Sequence, residues 1–376
     1  MSGRLVRDRA ARLRLRRPAS VLASTAALPD LSLPAPFHFG ISLGAPRYLR
    51  IPTPEEQRRV EKDAAPRSPA PADPPTTLTP SAAALALHFA RATGPLTAPD
   101  DAPEGTKLAW TREIVAAGRT WLVTPDLTLV PRDRVRAVAA PELRGLDLRG
   151  ERGARLPIAY LWLGAAPKLR RGEDGKLVDT GERWPRHAFV PITERVIRDR
   201  RHVYLETREG LWVERDQVTV LRRAADRPPG VGPNDKWVSV RVTHGYLVAY
   251  EGDAPIFATA VSPGVEGVRP TGRHTTRTGQ FVVIDKLVSW DMSGTERGKA
   301  WTVRDVPWVA FYKENYGLHG AWWHDDFGRP RSHGCINLAP EDARFLFDWL
   351  DPALPEGWYG VSSYAKARGT TVLVRP

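Results

Sequence analysis

LHGAWWHDDFGRPRSHGCINL, residues 318 to 338, concentrates more chemistry than any other stretch of this 376-residue chain. It brings His319, His333 and Cys335 close together in sequence, with Gly320, Gly328 and Gly334 beside them. Glycine next to each polar group lets backbone N–H groups approach closely, and a thiolate flanked by imidazole and exposed amides suits acyl transfer. A free thiol with a pKa of about 8.5 is only a few per cent ionised at neutral pH, so such a site needs a base or a positive field. Imidazole, with an unperturbed pKa of about 6.5, is the natural partner. Cys335 is the only cysteine, which rules out an intrachain disulfide and a multi-cysteine metal site. In an exported protein a solitary cysteine hints at a working thiol, since structural cysteines there come in pairs.

Working outward, Pro340 opens a helical pattern with Glu341 and Asp342 in its first turn. Ala343, Phe345, Leu346, Trp349 and Leu350 form its apolar face. Upstream, WVSVRVTHGYLVAYEGDAPIFATAV (237 to 261) alternates as half-buried strands do, and predicts three antiparallel strands turned at His244-Gly245 and Gly252-Asp253. FVVIDK (281 to 286) and TVLVRP (371 to 376) supply further strands. The C-terminal domain, 236–376, is therefore expected to be mainly β, a sandwich or barrel-like fold with one short helix near Cys335.

The break RPPGVGPND (227 to 235) separates it from a β-rich region over 104–226. There TWLVTPDLTLVP (120 to 131) and HVYLETREGLWVERDQVTVL (202 to 221) alternate and suggest a small barrel. The second resembles the closing hairpin of bacterial SH3-like domains. Residues 64–80, rich in Pro, Ala and Thr, read as an extended linker, and 1–63 as an Arg-rich tail or weak export segment. Of the net charge of +12, residues 1–17 carry +6 and residues 236–376 only +1. Charge thus gives no support to a polyanion groove in the C-terminal domain, and no nucleic-acid recognition motif accompanies the basic start. No stretch approaches the roughly 18 apolar residues of a membrane span. ASVLASTAAL (19 to 28), after Arg16-Arg17, is a short apolar core for a secretory signal.

Residues 236–376 resemble the catalytic domain of the L,D-transpeptidases. That family's signature is an upstream His-Gly followed by Ser/Thr-His-Gly-Cys, an aliphatic residue, then Asn or Arg. Here it is His319-Gly320, then Ser332-His333-Gly334-Cys335-Ile336-Asn337. AVSPGVEGVRPTGRHTTRTGQF (260 to 281) and VPWVAFYKENYGLHG (306 to 320) resemble the family's loop and the strand leading to its upstream His. One departure is Thr276-Arg277-Thr278-Gly279, where the family has Thr-Pro before the glycine.

The resemblance implies Cys335 as nucleophile and His319 as general base, oriented by the Gly320 carbonyl. It implies His333 lining the site, Ser332 ordering the turn, and the amides of His333, Gly334 and Cys335 as the oxyanion hole. Gly320, Trp323, Asn337 and Tyr312 are candidates for the substrate channel or its support. Asn337 is expected to hold the loop before the helix. The implied donor is a peptidoglycan tetrapeptide stem, which loses D-alanine to form a thioester. The implied acceptor is an amine, from a second stem, a D-amino acid or a protein lysine. Water in its place gives an L,D-carboxypeptidase. No cofactor and no metal are called for, and the expected location is the cell envelope. Two other classes compete: a zinc hydrolase using His319, His324, His333 and Cys335, and a wall-binding protein with an inactive domain.

Overall fold

The computed structural model describes residues 28–29, 36–62, 80–150, 153–266, 274–296, 299–363 and 368–376. The Arg-rich start, residues 64–79 of the linker and residues 267–273 of the family-like loop lie outside the described residues. The chain divides into two compact units. The first takes Met1–Ala140, Lys286–Val309 and Ala353–Val361; the second takes Pro141–Asp285, Ala310–Pro352 and Ser362–Pro376. Both are mainly β.

In the first unit, His38–Ser42 lies between Lys107–Trp110 and Val135–Val138, antiparallel to both. Gly40 permits this close pairing, because a Cβ there would stand 2.5 Å from Val135 Cγ1 and 2.9 Å from the Arg136 carbonyl. The helix Pro54–Glu61 begins at a capping box, Thr53 with Glu56. It buries the side chain of Glu61 at its end, where that carboxylate accepts from Tyr48 and Arg119. The helix Pro80–Arg91 sends Leu85 and Phe89 into a core with Tyr48, Ile114, Trp121 and Leu129. Strand His38–Ser42 and helix Pro54–Glu61 fall within the segment read as a tail; the strand is too short to show alternation by itself.

In the second unit, Ile158–Leu161 pairs antiparallel with Phe189–Asp199 and Val218–Leu221. The three strands read from residues 237 to 261 form as Lys236–Arg241, Tyr246–Glu251 and Ala254–Ala260, antiparallel in sequence. Their turns use positive φ at Gly245 and Gly252. Thr371–Arg375 closes the sheet parallel to Lys236–Arg241 and antiparallel to Gly279–Val282.

The units share a local design. Leu129–Pro131 runs through one 3₁₀ turn, Arg132–Arg134, into Val135–Val138; Trp212–Glu214 runs through Arg215–Gln217 into Val218–Leu221. Each turn reads Arg-Asp-x-Val. In each, the arginine Nη1 donates to the carbonyl three residues on, Arg132 to Val135 at 3.0 Å and Arg215 to Val218 at 2.9 Å. The strand after the turn then pairs antiparallel with an earlier one, Val135–Val138 with His38–Ser42 and Val218–Leu221 with Ile158–Leu161.

The strands between residues 158 and 221 have one core of their own, with Ala159, Leu161, Val190, Leu205, Val213 and Val220, and share a second with residues 236–376. Ile158, Tyr160 and Leu221 pack in one cluster with Trp237, Tyr250, Ala258, Phe327 and Ala339. The helix Pro340–Trp349 covers the sheet with Ala343, Leu346 and Phe347, and Phe345 stacks on Phe257 at 4.3 Å. Its first turn buries Asp342, only 3% exposed, which meets the Gly145 N–H at 2.7 Å and the Thr259 hydroxyl at 2.5 Å. Burial outweighs these hydrogen bonds and pushes the carboxyl up to about 7.

The folded protein therefore keeps this proton while the unfolded chain releases it near 3.8, so stability falls as pH rises between those values. Asp342→Asn keeps the shape without the charge. Thermal melts from pH 4 to 8 should show the variant gaining on wild type up to about pH 7 and holding its advantage above. A difference that stays constant across the range would contradict the raised pKa.

Candidate active site

Residues 310–313, the end of the strand Lys299–Lys313, pair antiparallel with Tyr316–Gly320. Tyr316–Gly320 in turn pairs in parallel with Ile336–Leu338, in the register Leu318↔Ile336 and His319↔Asn337. Cys335 immediately precedes the second strand and so comes level with Gly317. Parallel neighbours cannot be joined by a tight turn, and residues 321–335 make the crossover without a helix.

His319 is 2% exposed, with Nδ1 3.2 Å from the Gly320 carbonyl. A carbonyl only accepts, so Nδ1 carries the proton and Nε2 is left as the basic nitrogen. Burial lowers the pKa of the ring to about 4. The ring stacks on Trp323 at 6.0 Å. Cys335 is half-buried, its Sγ 3.6 Å from the Asn315 carbonyl. Burial pushes its thiol up to about 11, against the opposing pull of the Gly317 backbone. Near neutral pH both groups are therefore uncharged.

The turn before Cys335 is locked by hydroxyls. Ser332 Oγ accepts from the Gly334 N–H at 3.0 Å and donates to the Cys335 carbonyl at 2.5 Å. The Gly334 amide, one of three expected to face an oxyanion, is thus already engaged. Gly334 sits at φ +133, and a Cβ would come within 3.0 Å of Tyr316 Cε1. Thr276 Oγ1 accepts from the Gly264 N–H at 2.8 Å and donates to the Gly334 carbonyl at 2.9 Å. The sequence showed this position only as a departure from the family pattern; here it props the cysteine turn from below.

Asn337 pairs its backbone with Ser262 and places its side-chain amide 3.0 Å from His324 Nε2. His324 Nδ1 accepts from the Asp326 N–H at 3.3 Å, so Nε2 carries the ring proton. The atom of Asn337 placed at 3.0 Å from it is Nδ2, also a donor, and the buried Oδ1 lacks a partner among the described residues, so the amide turned over satisfies both groups. Burial lowers the His324 pKa to about 4. His333 is exposed, its ring edge-on to His274 at 4.6 Å. Tyr312 is buried beside Phe281, and its hydroxyl has no hydrogen-bond partner among the described residues. Burial and the neighbouring Cys335 raise its pKa. Sequence reasoning missed Thr276 and the role of His324 as a link between Asp326 and Asn337, because both act through contacts across the loop.

Residues 235–374 match the family model for the L,D-transpeptidase catalytic domain. No curated protein matches the chain. Among solved structures, the catalytic domain of the L,D-transpeptidase of E. faecium is 23% identical over 38% of this chain and 98% of that one, with a TM-score of 0.29. L,D-transpeptidase 3 of Mycobacterium tuberculosis is 16% identical, covering 57% of this chain and 79% of that one, with a TM-score of 0.30. The L,D-transpeptidase of Xylanimonas cellulosilytica is 22% identical, over 40% of this chain and 65% of that one, with a TM-score of 0.26.

Because the half-buried thiol titrates high, alkylation of Cys335 by iodoacetamide should be slow at neutral pH and rise about tenfold per pH unit from 6 to 10, as the thiolate fraction does. Mass spectrometry of the modified peptide measures it. A plateau beginning below pH 8 would mean a thiolate stabilised by a neighbouring cation instead.

Proposed function

We propose that residues 235–374 act as a cysteine acyltransferase of the L,D-transpeptidase type on peptidoglycan stem peptides. The observation that carries the reading is the orientation of His319. Its Nδ1–H is tied to Gly320, which leaves Nε2 as a neutral base on the strand next to Cys335.

In the proposed cycle, His319 Nε2 takes the thiol proton as Cys335 Sγ attacks the carbonyl carbon of the amide that follows the L-centre of the diamino acid. The oxyanion falls to donors other than the Gly334 amide, the Cys335 N–H foremost. Collapse breaks the C–N bond, the imidazolium returns its proton to the departing amine of D-alanine, and a thioester remains. An acceptor amine then attacks this thioester, yields its proton to Nε2, and releases Cys335 as the new amide forms. Water in place of the amine gives the L,D-carboxypeptidase outcome.

Starting from neutral partners, proton transfer and attack proceed together and no ion pair stands ready in the resting site. Ser332 and Thr276 hold the turn, while Trp323 and Tyr312 line the buried side. The acceptor is proposed as a stem-peptide amine, and the site of action as the cell envelope. His324 commits both ring nitrogens, one to the Asp326 N–H and one to Asn337, which weighs against a zinc site built on it.

Incubation with meropenem should yield a single covalent adduct by intact-protein mass spectrometry, mapped to the peptide holding Cys335. Cys335→Ser should fold normally and lose on the order of 10³-fold or more in turnover of a tetrapeptide donor, since a hydroxyl is a far weaker nucleophile beside imidazole. A serine variant retaining a tenth of the activity would refute the thiol mechanism.

A further inference from the structure

Arg186 lies far outside the residues that match the transpeptidase family, yet it grips the crossover between His319 and Cys335. Its Nη1 donates to Asp325 Oδ2 at 2.9 Å and its Nη2 to the Asp325 carbonyl at 2.5 Å, with Asp326 Oδ1 at 3.5 Å. The guanidinium is itself braced, since Nε donates to the Trp162 carbonyl at 3.3 Å. The turn that carries it is pinned by the His187 N–H to Leu161. The crossover meets the strand Ile158–Leu161 and the turn after it at two further points. Gly328, at φ +92, lies so close that a Cβ would stand 3.0 Å from Tyr160 Cε1, and the Arg329 guanidinium covers the Trp162 ring at 4.7 Å.

Asp326 is where the grip reaches the chemistry. Its carboxylate also takes Arg331, next to Ser332, and its carbonyl accepts from Ser262 Oγ at 3.0 Å. Its N–H sets the tautomer of His324, which faces Asn337, the strand partner of His319. We propose that Arg186 is a positioning residue for the acyl-transfer site, holding the crossover through Asp325 and Asp326 so that His319 and Cys335 keep their alignment. This rests on the acyltransferase reading above.

The pair is partly exposed, with side-chain accessibilities of 36% for Arg186 and 43% for Asp325, so its contribution to global stability is small. Phe327, buried in the shared core, anchors the fold of the loop independently. Misplacement of reacting groups by about 1 Å costs up to roughly 100-fold in rate, so rate and stability should separate.

The test uses the full chain with Arg186→Ala, Arg186→Lys, Asp325→Ala and the double variant. Meropenem acylation of Cys335 is followed for rate constant, saturation and amplitude, together with the melting temperature and the iodoacetamide rate. The expected result for Arg186→Ala is a loss of about 10- to 100-fold in maximal acylation rate. Amplitude, half-saturating concentration, melting temperature and iodoacetamide rate should stay near wild type. Arg186→Lys should recover only part of the rate, because an ammonium cannot span both partners. The double variant should be no slower than Arg186→Ala alone. An unchanged rate in Arg186→Ala would overturn the proposal. So would a loss confined to amplitude and melting temperature, which is the mark of a purely structural role, or an equal drop in iodoacetamide reactivity. A wild-type protein that iodoacetamide modifies but meropenem does not would overturn the acyltransferase reading, and this proposal with it.

Discussion

The backbone ladder joining Leu318 to Ile336 runs parallel, and the rest of the site answers to that fact. Parallel neighbours demand a long connection, normally a helix that satisfies its own backbone. Here the connection is an irregular loop of residues 321–335, so side chains must supply the order that a helix would have had. Ser332 and Thr276 fix its end, His324 and Ser262 its middle, and Arg186 its outer edge. The polar density of the loop follows from its topology as much as from its chemistry.

The same burial that aligns the site also sets its charge state. Cys335 and His319 are pushed in directions that keep both neutral, one by disfavouring thiolate and the other by disfavouring imidazolium. In the proposed acyl transfer, charge develops only during reaction, where fixed backbone dipoles can stabilise it. A resting thiol of this kind is also poorly reactive toward stray electrophiles.

Much of the second unit is legible in the sequence. The three strands between 236 and 260 are legible from their β-branched and aromatic content, although they are buried on both faces instead of alternating as half-buried strands. Glycine marks both of their turns, and Pro340 with two acids marks the start of the helix. The chemistry-bearing residues stand within one short stretch and need no long-range information to be noticed. What escapes is whatever depends on partners distant in the chain. Arg186 stands 139 residues from Asp325, in a turn with nothing locally unusual about it. Thr276 looks like a lapse from a motif until its hydroxyl is seen beneath Gly334. Nor can spacing reveal that desolvation outweighs hydrogen bonding at Asp342 and Cys335, since desolvation is set by the whole packed surround.

The shared cluster of Ile158, Tyr160 and Leu221 with Trp237, Tyr250 and Phe327 separates two boundaries that are often taken as one. The family match begins at residue 235, while the compact unit containing it begins at Pro141. Cutting at the start of the match would leave one side of a hydrophobic core facing water. The matched stretch and the compact unit that holds it have different boundaries, and the core crosses the first of them.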